Sequence, residues 1–136
     1  MLVFATSDKG GTGRSVTSSN VVYRRALQGG DVCYLDFDFG SPTAGAIFTI
    51  NAVVNGVPER GLHSYLLGKA TEPARYDIWS ASDRSSLRGR PPGAGRLVLY
   101  PGDSGVVSSP ATGRSCGAAC SCCCASTRSS NWYWSI

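Results

Sequence analysis

The sequence predicts an α/β fold on a parallel sheet. Three observations predict it: an apolar run, Leu2-Val3-Phe4-Ala5, that ends in a glycine-rich loop; a segment of helical spacing after that loop; and a second apolar run, Val32-Cys33-Tyr34-Leu35. Strand, loop, helix and strand in that order form a βαβ unit with parallel strands. Residues 1–103 carry this pattern, and residues 104–136 read as an irregular, low-complexity Cys/Ser-rich tail.

Leu2 to Ser7 reads as a buried strand that stops where Asp8-Lys9-Gly10-Gly11-Thr12-Gly13-Arg14-Ser15 begins. Three glycines in four positions let the backbone curl tightly enough to aim successive N–H groups at one anion. A helix that follows adds the positive end of its dipole, so this stretch is a candidate phosphate loop. From Ser15 to Gln28, Val16, Val21, Val22, Ala26 and Leu27 recur at roughly helical spacing, and Gly29-Gly30 end the helix.

The second strand runs into Asp36-Phe37-Asp38-Phe39-Gly40-Ser41-Pro42-Thr43, two acids at alternate positions followed by turn residues. In a parallel sheet this loop shares an edge with the glycine loop, which brings Asp36 and Asp38 near a bound phosphate and its metal. The alternative is that both acids only cap the next turn or helix. Ala44 to Val54 reads as a short helix or strand, Asn55-Gly56-Val57-Pro58 as a turn, and Gly61 to Leu67 as a short helix. His63, the single histidine, is expected on that helix's surface, because no second His or Cys stands at ligand spacing. Ser80 to Pro92 reads as a mobile surface loop, and Leu97-Val98-Leu99-Tyr100 as a third buried strand stopped by Pro101-Gly102-Asp103.

Composition sets the bounds. A chain of 136 residues has room for one domain with a modest core. Its +4 charge rests on arginine, with only Lys9 and Lys69 as lysines, and only Arg24-Arg25 adjoin among the arginines. Scattered arginines make no basic stripe, so charge alone predicts no nucleic-acid partner. No apolar run approaches the ~18 residues of a membrane span, and no signal-peptide order opens the chain. A cytoplasmic location follows as the expectation, with reduced cysteines.

The tail is different in kind. All nine acids lie at or before Asp103, and Cys116, Cys120, Cys122, Cys123 and Cys124 crowd one short stretch. No helical or strand period is visible there. One reading is a thiolate metal site, although adjacent cysteines do not make the separated knuckles of structural zinc. A disordered tail is another, against which stand Trp132, Tyr133 and Trp134. The third is coding text read out of frame. Read from the last base of each codon, Asn131-Trp132-Tyr133-Trp134 becomes Leu-Val-Leu by necessity of the code, and the residues after it can be Val and Asp. The hidden text is then an apolar strand ending in aspartate, and codons that do not spell it would exclude this reading. On that reading the visible chain is truncated at about residue 104, and its first strand lacks a sheet neighbour.

Lys9-Gly10-Gly11-Thr12-Gly13-Arg14-Ser15, taken with Leu35-Asp36-Phe37-Asp38, resembles the ParA/MinD family of deviant Walker A ATPases, whose loop runs K-G-G-x-G-K-[ST]. The resemblance covers residues 1 to about 50, and Leu97 to Gly102 is similar to a later strand and turn of that fold. It implies a partial P-loop NTPase-type parallel sheet, with ATP and Mg²⁺ as cofactors. By the same resemblance Gly10, Gly11, Thr12, Gly13, Arg14 and Ser15 would bind the nucleotide, with Ser15 ligating Mg²⁺ and Asp36 lying near the metal. Lys9 would reach the phosphates held by a partner subunit in an ATP-dependent homodimer, and Asp38 would position the attacking water. Intact relatives use that dimer to switch a protein partner. Arg14 departs from the motif: a planar fork replaces the compact loop ammonium, and weak or absent hydrolysis is the expectation. The alternatives are a non-catalytic nucleotide sensor or scaffold, and metal binding by the tail thiolates.

Overall fold

The computed structural model describes residues 1–104 and the backbone of residues 132–135. Their architecture is mixed α/β. In chain order the elements are β1 (Leu2–Phe4), α1 (Arg14–Leu27), β2 (Val32–Leu35), α2 (Ala44–Ile47), a 3₁₀ turn (Asn51–Val53), α3 (Leu62–Leu66), β3 (Tyr76–Asp77), α4 (Ile78–Ala81), β4 (Leu97–Tyr100) and β5 (Trp132–Ser135). One sheet runs in the order β1-β5-β2-β4-β3. Its open three-stranded part pairs β2 with β4 in parallel, Val32 opposite Leu97, and β4 with the short antiparallel β3. Strand β5 lies parallel between β1 and β2, with Tyr133 opposite both Leu2 and Cys33.

The helix α1 ends as its glycines require. Gly29, at a left-handed φ of 87°, donates to the Ala26 carbonyl, and the Gly30 N–H reaches back to Arg25. This paired closure satisfies two carbonyls of the last turn and turns the chain into β2. The entry to β4 is tied to the same corner. Gly95 donates to Ala26 at 2.7 Å, and a Cβ there would strike the Gly30 carbonyl, so only glycine fits. Asp31 and Arg96 close the corner from outside with three hydrogen bonds of 2.8–3.0 Å. Burial raises the Asp31 carboxyl, but its hydrogen bonds and charge pairing with Arg96 outweigh this and hold it below the usual aspartate range.

The core sits between the sheet and the helices on one face. Val22 and Ala26 of α1 meet Val32 and Tyr34 of β2, Leu97 and Leu99 of β4, and Phe48, Ile50 and Val53 from the α2 region. Phe48 stands edge-on to Tyr34 at 5.4 Å between ring centres, and Tyr23 of α1 leans on Trp79 of α4 at 5.6 Å. The Trp79 indole N–H donates to the Gly95 carbonyl, so its polar atom is satisfied inside the core.

Five expectations need correction. Strand β1 is not buried: Leu2 is 51% and Phe4 63% exposed, because β1 is the last strand of the described sheet and pairs on one side only. Nor is β1 without a neighbour, since β5 pairs with it, and the same strand means that the tail is not wholly irregular. The stretch 80–92 is not a free surface loop. It opens with the last residues of α4, buries Ser82 and Leu87, and is pinned where the Ser82 hydroxyl donates to the Phe48 carbonyl at 2.7 Å. His63 is not on the surface, as described below. Cysteines 116–124 and the readings placed on residues 105–131 lie outside the described residues.

Candidate functional site

The glycine loop and the acid run both leave the carboxyl ends of their strands, β1 and β2, and therefore share one edge of the sheet. Gly11 (φ 73°) and Gly13 (φ 77°) both adopt the left-handed conformation that an L side chain resists. Gly13 is the N-cap of the fourteen-residue α1, no side chain caps that end, and its first turn holds no acid. The first N–H groups of a helix have no partner within it, so those of Arg14, Ser15 and Val16 are unpaired by helical bonds at the end of the glycine loop. A Cβ added at Gly10, Gly11 or Gly13 would meet nothing within 4 Å, so the loop's surface is open. A cavity of about 400 Å³ lies between the end of β1 and the first turns of α1, lined by Ala5 to Ser7, Thr12, Arg14, Thr17 and Ser18.

Below the loop, β2 braces the start of α1. The Tyr34 hydroxyl pairs with Ser18 Oγ at 3.0 Å and also reaches the Ser15 carbonyl at 3.5 Å. Burial raises the Tyr34 phenol well above its ordinary value, so it stays protonated and able to donate.

Asp36 is only 1% exposed and is engaged by the backbone. Its Oδ1 accepts from the Asp38 N–H at 3.1 Å, and its Oδ2 accepts from the N–H groups of Thr43 and Ala44, both at 3.1 Å. Burial raises its carboxyl above the usual aspartate range. The hydrogen bonds from Ala44 and Asp38 oppose this, the Asp38 charge adds to it, and the bond from Thr43 opposes it again. Asp38, half-buried, accepts from Gly40 and Ser41 through Oδ1 and so closes its own turn. The capping role weighed from the sequence is therefore present at both acids.

Of the predicted residues, Ser15 and Asp36 are brought together, and the link is one that sequence reasoning missed. Thr43 donates from its Oγ1 to Ser15 Oγ at 3.2 Å while its N–H sits on Asp36. The only signal was its place in the turn Ser41-Pro42-Thr43, which does not show where a hydroxyl points. Lys9 stands exposed, its backbone N–H and carbonyl both bonded to the Ser7 hydroxyl. Thr12 is exposed too, and Arg14 is half-buried against the cavity.

His63 is 5% exposed and stacks on Phe39, ring centres 4.7 Å apart and planes at 20°. Its helix α3 is drawn inward because Asp103, fully buried, accepts from the N–H groups of Gly61 (3.1 Å) and Ser64 (2.9 Å). Phe39 belongs to the acid loop, so this stack fastens that loop to α3. The His63 Nδ1 is buried with no hydrogen-bond partner among the described residues.

Among the described residues no group of three His, Cys, Asp or Glu side chains is poised to hold a metal ion. Mg²⁺ ordinarily keeps several waters and takes only one or two protein ligands beside the phosphates of a nucleotide, so a closed protein cage is not required of it. At this edge the Ser15 and Thr43 hydroxyls stand within hydrogen-bond distance of each other. No protein-family model, no curated protein and no solved structure matches the chain. No helix among the described residues is long and apolar enough to cross a membrane.

Proposed function

We propose that the chain is a ParA/MinD-like variant P-loop protein that binds ATP or ADP with Mg²⁺. The observation that carries this reading is the loop itself: two left-handed glycines at the mouth of a long helix whose N-terminus has neither a capping side chain nor an acid. Unpaired N–H groups and the helix dipole there favour a polyphosphate. The parallel course of β1, β5, β2 and β4, with glycine loop and acids on one edge, is what a P-loop NTPase-type sheet requires.

In this proposal Gly10 to Ser15 wrap the phosphates, and Arg14 supplies charge from the cavity wall. Lys9 is exposed as it must be to reach a nucleotide on a second copy in an ATP-dependent homodimer. Asp38 orients the attacking water. Mg²⁺ supplies charge neutralisation at the phosphates when bound, held through Ser15, with Asp36 behind it. Hydrolysis is weak or absent, because a guanidinium is wider than the ammonium it replaces and a misplacement of ~1 Å can cost about 10²-fold in rate. A sensor without turnover is the second reading, favoured by the half-buried Arg14 as a settled part of the cavity wall.

The test is titration of the full chain with a fluorescent ATP analogue, beside Gly13→Asp. Gly13 has open space around it, and aspartate tolerates positive φ better than most residues, so the fold should survive. Its carboxylate would stand where the anion binds, and affinity is expected to fall by about 100-fold or more. Absence of wild-type binding at millimolar ATP would overturn the proposal.

A further inference from the structure

Thr43 is the N-cap of α2, yet its side chain makes no capping bond. An N-cap threonine ordinarily turns its oxygen back onto the N–H of the second or third helical residue. Here Asp36 Oδ2 takes over the helix start by accepting from Thr43 and Ala44, which leaves the Thr43 hydroxyl to point across the site at Ser15. The result is two hydroxyl oxygens 3.2 Å apart, one from the first turn of α1 and one from the β2–α2 loop, 28 residues away in the chain. Adjacent oxygens around an octahedral Mg²⁺, each ~2.1 Å from the ion, are about 3 Å apart. The pair is thus spaced like two neighbouring corners of one coordination shell. Both residues are half-buried, so neither is sealed from a ligand.

We propose that Thr43 is the second hydroxyl of a divalent-cation seat shared with Ser15, and that it sets the Mg²⁺ dependence of nucleotide binding. The inference rests on the phosphate-loop reading and goes beyond it, because it assigns the cation to two elements and makes the β2–α2 loop a reporter of the bound metal. Ser15 Oγ, accepting one hydrogen bond from Thr43, keeps a second lone pair for the cation. A bound divalent cation would be held by the Ser15 and Thr43 hydroxyl oxygens, in place of their mutual hydrogen bond.

The experiment compares the affinity for fluorescent ADP in Mg²⁺ and in EDTA for the full chain, Thr43→Val and Thr43→Ser. Valine keeps the branched shape and removes the oxygen. Wild type is expected to bind more tightly in Mg²⁺, Thr43→Val to lose about tenfold of that enhancement while keeping the EDTA affinity, and Thr43→Ser to recover it. Should Thr43→Val not fold, Thr43→Ala is read by the same criteria. An unchanged Mg²⁺ enhancement in the valine or alanine variant overturns the inference and leaves the phosphate loop intact, as does an equal loss in Mg²⁺ and EDTA. No nucleotide binding by wild type overturns both.

Discussion

Replacing Arg14 by alanine is expected to weaken ATP binding by roughly 100-fold, because hydrogen bonds to a charged partner are worth about 1.5–3 kcal/mol. Arg14 opens α1 and lines the cavity between β1 and α1, and on the proposed reading its guanidinium supplies charge to the bound phosphates. Lysine at this position keeps the charge and restores the compact head, so Arg14→Lys should bind within a few-fold of wild type and release phosphate faster. Fluorescent-nucleotide titration and a phosphate-release assay separate the two effects. Equal affinity in the alanine variant would show that Arg14 is no part of the site. A lysine variant that binds without faster turnover would favour the sensor reading.

Loss of the Asp103 carboxylate is the largest expected change in stability. In Asp103→Ala the N–H groups of Gly61 and Ser64 would both be left buried without an acceptor. At about 1–3 kcal/mol for each orphaned donor, the cost is about 2–6 kcal/mol, a large share of the ~5–15 kcal/mol that holds a domain folded. The Gly61 backbone lies so close to Asp103 that a Cβ there would strike it, so glycine is needed for this contact. Thermal unfolding is expected to move down by roughly 10 °C or more. Asp103→Asn, which keeps one acceptor oxygen, should fall between. Wild-type stability in the alanine variant would mean that α3 is held by its apolar contacts alone, and the His63–Phe39 stack with it.

The contrast between these two residues shows what was legible in the chain. The glycine loop could be read because its signal is local: glycines, a helix start and a hydroxyl lie within eight consecutive residues. Strands β2 and β4 were legible for the same reason, as apolar runs bounded by turn residues. Thr43 was not, since its place depends on Asp36 taking over the start of α2, a contact made only when the loop closes. His63 was misplaced because five helical residues are too few to show which face is apolar. Its burial comes instead from Asp103, forty positions downstream. The pair β3 and α4 is too short for any period to appear. Strand β5, rich in aromatic residues and preceded by a serine-rich stretch, gave no alternation that would mark it as the strand joining β1 to β2.

Amide hydrogen exchange of the full chain with Mg²⁺-ATP, Mg²⁺-ADP and adenosine tests the central claim most directly. It reports the backbone N–H groups that are held to grip phosphate. Slowed exchange at Gly10 to Val16 with both nucleotides, and none with adenosine, is the result expected of a phosphate loop. Unchanged exchange across these residues at millimolar ATP, or protection by adenosine equal to that by ATP, would contradict it.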